Sequence, residues 1–147
     1  MKLERYELSV GSKLMAYKFV SKGPKGQITK LVRYTETNLE NMYNLGFGDY
    51  NKETDNIDDE VITNNGDSQK VLNTVAATVR AFSAKYPDAK IFATGSTIAR
   101  TRLYRIGITN NLSEIQKDFK VYGLKNDTWH KFKKGENYEA FLVERKK

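Results

Sequence analysis

The hydrophobic period of this chain changes at Asp67, and that change limits the folds open to it. Before Asp67, apolar residues recur at every second position, the spacing of a strand with one buried face. Tyr6, Leu8 and Val10 alternate weakly until Gly11, and Met15, Tyr17 and Phe19 then alternate against Ala16 and Lys18. A turn at residues 21–26, carrying two glycines and a proline, makes a hairpin with 28–34, where the period resumes. Residues 41–48 extend the meander, and 61–63 return to an extended form after an acidic loop.

After Asp67, Val71, Leu72, Val75, Ala76, Val79 and Phe82 fall three or four positions apart. That is the stripe of an amphipathic helix, expected over about 67–86. Asp67-Ser68 offers an N-cap oxygen, and Pro87 ends the helix, because the residue before a proline is pushed out of the helical region. Residues 90–94 are short and apolar, as in a central strand. Gly95-Ser96-Thr97 turns into a second helix over about 97–107, and residues 111–114 carry capping-box spacing for a short third one. Strands are expected at 119–122, 128–132 and 138–143. Strands, then helix–strand–helix, then strands describe a single α+β domain over 1–147, a mostly antiparallel sheet with two main helices.

Composition removes whole classes of chemistry. A chain of 147 residues fits one core. Cysteine is absent, which excludes disulfides, thiolate metal sites and a thiol nucleophile. The one histidine, His130, excludes a His-clustered metal site and, as a lone general base, has no recognisable orienting carboxylate; no metal site and no cofactor are expected. No apolar run approaches the roughly 20 residues that span a bilayer, and charges interrupt residues 1–10 before any leader-like stretch. A cytoplasmic protein with no membrane partner is the expectation.

The formal charge is +7, unevenly spread. Residues 49–60 hold six acids and one base, which leaves 24 bases against 12 acids elsewhere. A basic body with one acidic loop attracts polyanions, nucleic acid first among them; scattered lysines also keep sheet edges soluble. The most informative stretch is the strand–turn–helix at 90–107. Gly95 permits a sharp turn, Ser96 or Thr97 stands at the helix start, and Arg100, Arg102 and Arg105 follow. Arginine in a first turn opposes the helix dipole unless an anion or carboxylate neutralises it. Two readings follow. Either Gly95, Ser96, Thr97, Arg100, Arg102 and Arg105 bind a phosphate-bearing ligand or nucleic acid, or the arginines pair internally with the acidic loop. The stretch is not a Walker loop.

The acidic loop places Asp49, Asn51, Glu53, Asp55 and Glu60 at calcium-loop positions, but Thr54 stands where glycine is required, so a solvated hairpin loop is expected. Gly46 and Gly48 allow a close approach or a bulge. In the tail Tyr122, Trp129, Phe132, Tyr138 and Phe141 interleave with Lys131, Lys133 and Lys134. Such a pattern builds either core or a base-stacking surface.

The chain resembles a family of small bacterial proteins of unknown function. The resemblance rests on Gly95-Ser96-Thr97-Ile98-Ala99-Arg100-Thr101-Arg102-Leu103-Tyr104 and on the segments 43–49, 64–67 and 71–75. It implies no activity. The element order is also similar to that of GNAT-type N-acetyltransferases. Ser96, Ala99, Gly107 and Ile108 keep the frame of their Asn-x-x-Ala-x-x-Leu-Tyr-x-x-x-Gly-Phe helix, with Leu103-Tyr104 one residue late. That resemblance implies Tyr104 as a thiolate proton donor and Asn65 and Gly66 as cofactor-binding residues, although Asp67 would repel a pyrophosphate. Three functions are therefore open: an anion-binding module, a GNAT-like acyltransferase, or a protein-interaction module of the immunity or antitoxin kind.

Overall fold

Each change of period becomes a change of element in the structure, a computed structural model that describes residues 4–11, 15–58, 63–95 and 97–147. In chain order the strands are β1 (Ser9–Val10), β2 (Ala16–Gly23), β3 (Gly26–Glu36), β4 (Met42–Asn51) and β5 (Asn56–Ile57). Helix α1 (Ser68–Lys85), β6 (Lys90–Ala93) and helix α2 (Ile98–Asp118) follow, then β7 (Phe119–Lys125), β8 (Thr128–Lys131) and β9 (Ala140–Arg145). The strands form one sheet in the order β1-β2-β3-β4-β6-β9-β7-β8, with β5 paired to β4. Every ladder is antiparallel except β4–β6, which is parallel and needs the crossover that α1 supplies. The β3–β4 register runs without a slip from Lys30↔Asp49 to Glu36↔Tyr43, so Gly46 and Gly48 form no bulge.

Both helices pack on one face of the sheet. Phe82 of α1 is fully buried, stacked on Tyr34 of β3 at 4.1 Å between ring centroids and edge-on to Tyr43 of β4 at 5.0 Å. On α2, Tyr104 meets Phe47 of β4 edge-on, and Leu72 of α1 packs against Gly107. Each large apolar side chain buried here stabilises by roughly 1.5–3 kcal/mol. The tail divides by parity. Phe119, Phe132, Tyr138 and Phe141 enter this core, whereas Tyr122 stays half-buried and Trp129 exposed.

Helix α2 is longer than its sequence suggests. The helix expected over 97–107 continues to Asp118, and no separate third helix begins at 111–114. Asn111 turns inward and donates to the Gly107 carbonyl at 2.8 Å, so the segment that resembles a cap is helix interior. At the start of α1, Asp67 stands at the N-cap but makes no cap bond. Its carboxylate accepts from the Tyr6 and Ser21 hydroxyls, each at 2.5 Å, tying the N-terminal segment and β2 to the helix. Burial, reinforced by the Asp67 carboxylate, raises the Tyr6 hydroxyl above its ordinary pKa.

A buried ion pair joins β3 to β4. Lys30, 2% exposed, donates to Asp49 and to the Thr63 carbonyl, while Asp49 also accepts from the Thr63 amide and hydroxyl. Asp49 thus belongs to the interior rather than to the acidic loop. The remaining loop is a solvated hairpin: Asn51 accepts from the Glu53 and Thr54 amides, and Asp55 from the Tyr50 hydroxyl. That hydroxyl, then Lys18, holds the Asp55 carboxyl below its usual range. Among the described residues no helix is long and apolar enough to cross a membrane.

Candidate functional site

The two parallel strands separate after four residues. Pairing between β4 and β6 runs from Met42↔Lys90 to Leu45↔Ala93, where β6 ends and β4 continues to Asn51. A cleft therefore opens at the carboxyl ends of a parallel pair, the place where sheets of this kind receive ligands. It holds a cavity of about 240 Å³, whose lining includes Arg33, Asn44, Asn56, Thr94, Gly95, Arg100 and Tyr104.

Arg33 arrives from β3, on the face away from the helices, directly opposite Gly46. Without a side chain at Gly46, the guanidinium side of the cleft stays open. Ile57 folds back from the hairpin over both glycines, and a Cβ at Gly48 would stand 2.8 Å from Ile57 Cγ2. Arg33 donates from Nη2 to the Asp55 carbonyl at 2.9 Å, whereas its Nε–H is buried without a partner. An orphaned buried donor costs about 1–3 kcal/mol.

Arg100 arrives from the first turn of α2 and donates to the Asp58 carbonyl at 3.2 Å. The turn that places it is tightly folded. The Gly95 amide donates to Thr101 Oγ1 at 3.1 Å, and any Cβ at Gly95 would collide with Arg100 and lie 2.5 Å from the Thr101 nitrogen. Thr97 caps the helix, accepting from the Arg100 amide at 3.2 Å. Tyr104 closes the inner end of the cleft, its hydroxyl 3.4 Å from the Leu45 carbonyl at the point of parting. Burial pushes that hydroxyl up to about 12, against the opposing effects of the Phe47 backbone and Arg100. At neutral pH it is a hydrogen-bond donor, not a base.

The residues singled out from sequence around the Gly95 turn divide between two neighbouring openings that share Thr94 and Gly95. Gly95 and Arg100 line the cleft; Thr97 serves as the cap; Ser96 lies outside the described residues. Arg102 and Arg105 border a second groove of about 530 Å³, whose lining also includes Gly95, Thr97, Asn137 and Glu139. Asn65 is buried and spends its amide on the β2–β3 turn, donating to Ser21 and the Gly26 carbonyl and accepting from the Lys25 amide. Gly66 adopts a φ of 75° beside it. His130 is exposed on β8. Among the described residues no three His, Cys, Asp or Glu side chains gather as a metal site would require. Sequence reasoning missed Arg33. Its one signal is register, since a hairpin drawn from 28–34 to 41–48 can place this arginine opposite the Gly-Phe-Gly segment.

A family model, Family of unknown function (DUF6934), matches residues 2–146, and the chain belongs to that family. No curated protein and no solved structure matches the chain.

Proposed function

We propose that the protein binds a small phosphate- or carboxylate-bearing ligand in the cleft where β4 and β6 part. The observation that carries this reading is Arg33, which has an unpartnered, buried Nε–H and lines a cavity together with Arg100. No carboxylate side chain stands among the described residues lining that cavity. An anion seated there would satisfy the orphaned donor and face two guanidinium groups, whose forked geometry suits oxyanions. Asn44, Asn56 and Thr94 add neutral hydrogen-bonding groups for the rest of the ligand.

Thermal unfolding and calorimetry with inorganic phosphate, acetate and nucleoside monophosphates test this. Ligand at a hundred times its dissociation constant should stabilise by about 2.7 kcal/mol. Arg33→Gln should weaken binding roughly 10- to 100-fold, the value of one hydrogen bond to a charged group. The Arg102→Gln/Arg105→Gln double variant, altered at the other groove, should bind as the parent does. Equal affinity in Arg33→Gln, or no anion bound at millimolar concentration, would remove the proposal.

A second reading, GNAT-like acyl transfer, is supported by the strand order β4-β6-β9-β7 around a parting parallel pair, with Tyr104 at the parting. Against it stand the Asp67 carboxylate at the start of α1 and the prior engagement of Asn65. Calorimetry decides it: acetyl-CoA should bind, and binding should weaken when Gly66 is replaced by a bulky residue. Absence of binding at millimolar acetyl-CoA would exclude this reading.

A further inference from the structure

The sheet face opposite the helices has no helix on it among the described residues, and its two halves differ. Over β3 and β4, Ile57 and the hairpin supply a cover. Over β6, β9, β7 and β8 it carries no described helix: Phe92, Leu142 and Tyr122 are half-buried, and Lys90, Lys120 and Lys131 are exposed. Ladder registers set its side chains in one transverse row: Phe92 beside Leu142, Leu142 beside Tyr122, Tyr122 beside Lys131. A neighbouring row runs Lys90, Glu144, Lys120. Trp129, paired with Leu124, is 38% exposed. Its ring nevertheless meets Phe92 edge-on at 6.0 Å between centroids. The two strands stand three places apart in the sheet, about 14 Å at ordinary strand spacing, so the indole leans back over the face.

We propose that this aromatic and lysine-bearing face binds single-stranded nucleic acid, with bases stacked on Trp129 and Tyr122 and phosphates held by Lys90, Lys120 and Lys131. Charge complementarity selects this occupant. Three lysines share the face with one carboxylate, Glu144, which already accepts from the Tyr122 hydroxyl at 3.4 Å. A second copy of the chain would bring like charges together. A protein partner fits poorly as well, because lysine is depleted from the centres of protein interfaces. Flat aromatic rings flanked by cations suit unpaired bases, whose rings stack without regard to sequence, whereas a duplex hides them. The inference is independent of the cleft, since Arg33 and Arg100 take no part in it.

The chain's single tryptophan makes the test direct. Titration with ten-residue oligo-dT or oligo-U at low salt should quench Trp129 fluorescence, and a duplex of equal length should bind at least about tenfold more weakly. With a fluorescein-labelled oligonucleotide followed by anisotropy, Trp129→Ala should weaken binding roughly 10- to 100-fold and Trp129→Phe should recover most of it. The charge reversal Lys120→Glu/Lys131→Glu, both exposed positions, should weaken binding and flatten its salt dependence by about 0.7 log units per lost phosphate contact. Arg33→Gln should leave all of this unchanged, which separates this surface from the cleft. No binding of either single strand, equal binding of duplex, or an unaltered affinity in Trp129→Ala would each overturn the proposal.

Discussion

Lys30→Met will destabilise the protein by roughly 3–5 kcal/mol, measured by urea unfolding. Removing one partner of a buried pair leaves the other charge without compensation. Lys30 is 2% exposed, and its ammonium joins Asp49 to the Thr63 carbonyl, so its loss leaves a largely buried carboxylate without its cation. Asp49 would keep its bonds from the Thr63 amide and hydroxyl, which places the loss toward the lower end of that range. Neutralising both partners in Lys30→Met/Asp49→Asn should recover about 1–2 kcal/mol, since an unpaired amide is less costly to bury than an unpaired carboxylate. A single variant losing less than about 1 kcal/mol would show that Asp49 finds water or another cation once Lys30 is gone.

Phe82→Ala is the second large effect, also about 3–5 kcal/mol, the usual cost of emptying a fully buried aromatic position. Phe82 is 0% exposed and contacts Tyr34, Tyr43 and Tyr86 with ring centroids 4.1–5.0 Å apart. It is therefore the point at which α1 is fastened to β3 and β4. In a chain of this length the loss should lower the melting temperature by roughly 10–15 °C, readable by calorimetry. Phe82→Leu should lose well under half as much, because much of the volume is kept. Similar losses from both variants would mean that aromatic stacking, rather than filled volume, holds the helix.

These two positions illustrate what a sequence discloses. Phe82 continues the three- and four-residue stripe from Val71, so its burial was legible before any coordinates. Lys30 was not. It sits in an alternating run as a charged residue on the apolar parity, and only the opposing strand reveals Asp49 directly across from it. The end of α2 is hidden from the sequence for a related reason: Gly107 and the polar run after it imitate a stop, while the Asn111 amide group donates back to the Gly107 carbonyl on the preceding turn. The Gly95 turn is legible in the sequence, because its residues are sequence neighbours. Arg33 is not, because its role depends on a strand and a hairpin that close over it. In the tail, the interleaved aromatics leave core and stacking surface both open, because parity alone does not say which set faces the helices; the structure buries Phe132 and exposes Trp129.

The place of β9 in the sheet has a consequence for how the protein is made. It is the last described strand to leave the ribosome, yet it lies inside the sheet, between β6 and β7. Until residues 140–145 emerge, β6 has a partner on one side only, and β7–β8 can form a hairpin but has no strand to join. The β2–β3–β4 meander, whose pairings are local, can assemble during synthesis, as can α1 over it. The core around Phe141 cannot. Folding is thus held open until residues 140–145 have emerged, and a nascent chain stalled before residue 140 presents β6 as an unpaired edge, the kind of surface that chaperones and aggregation compete for.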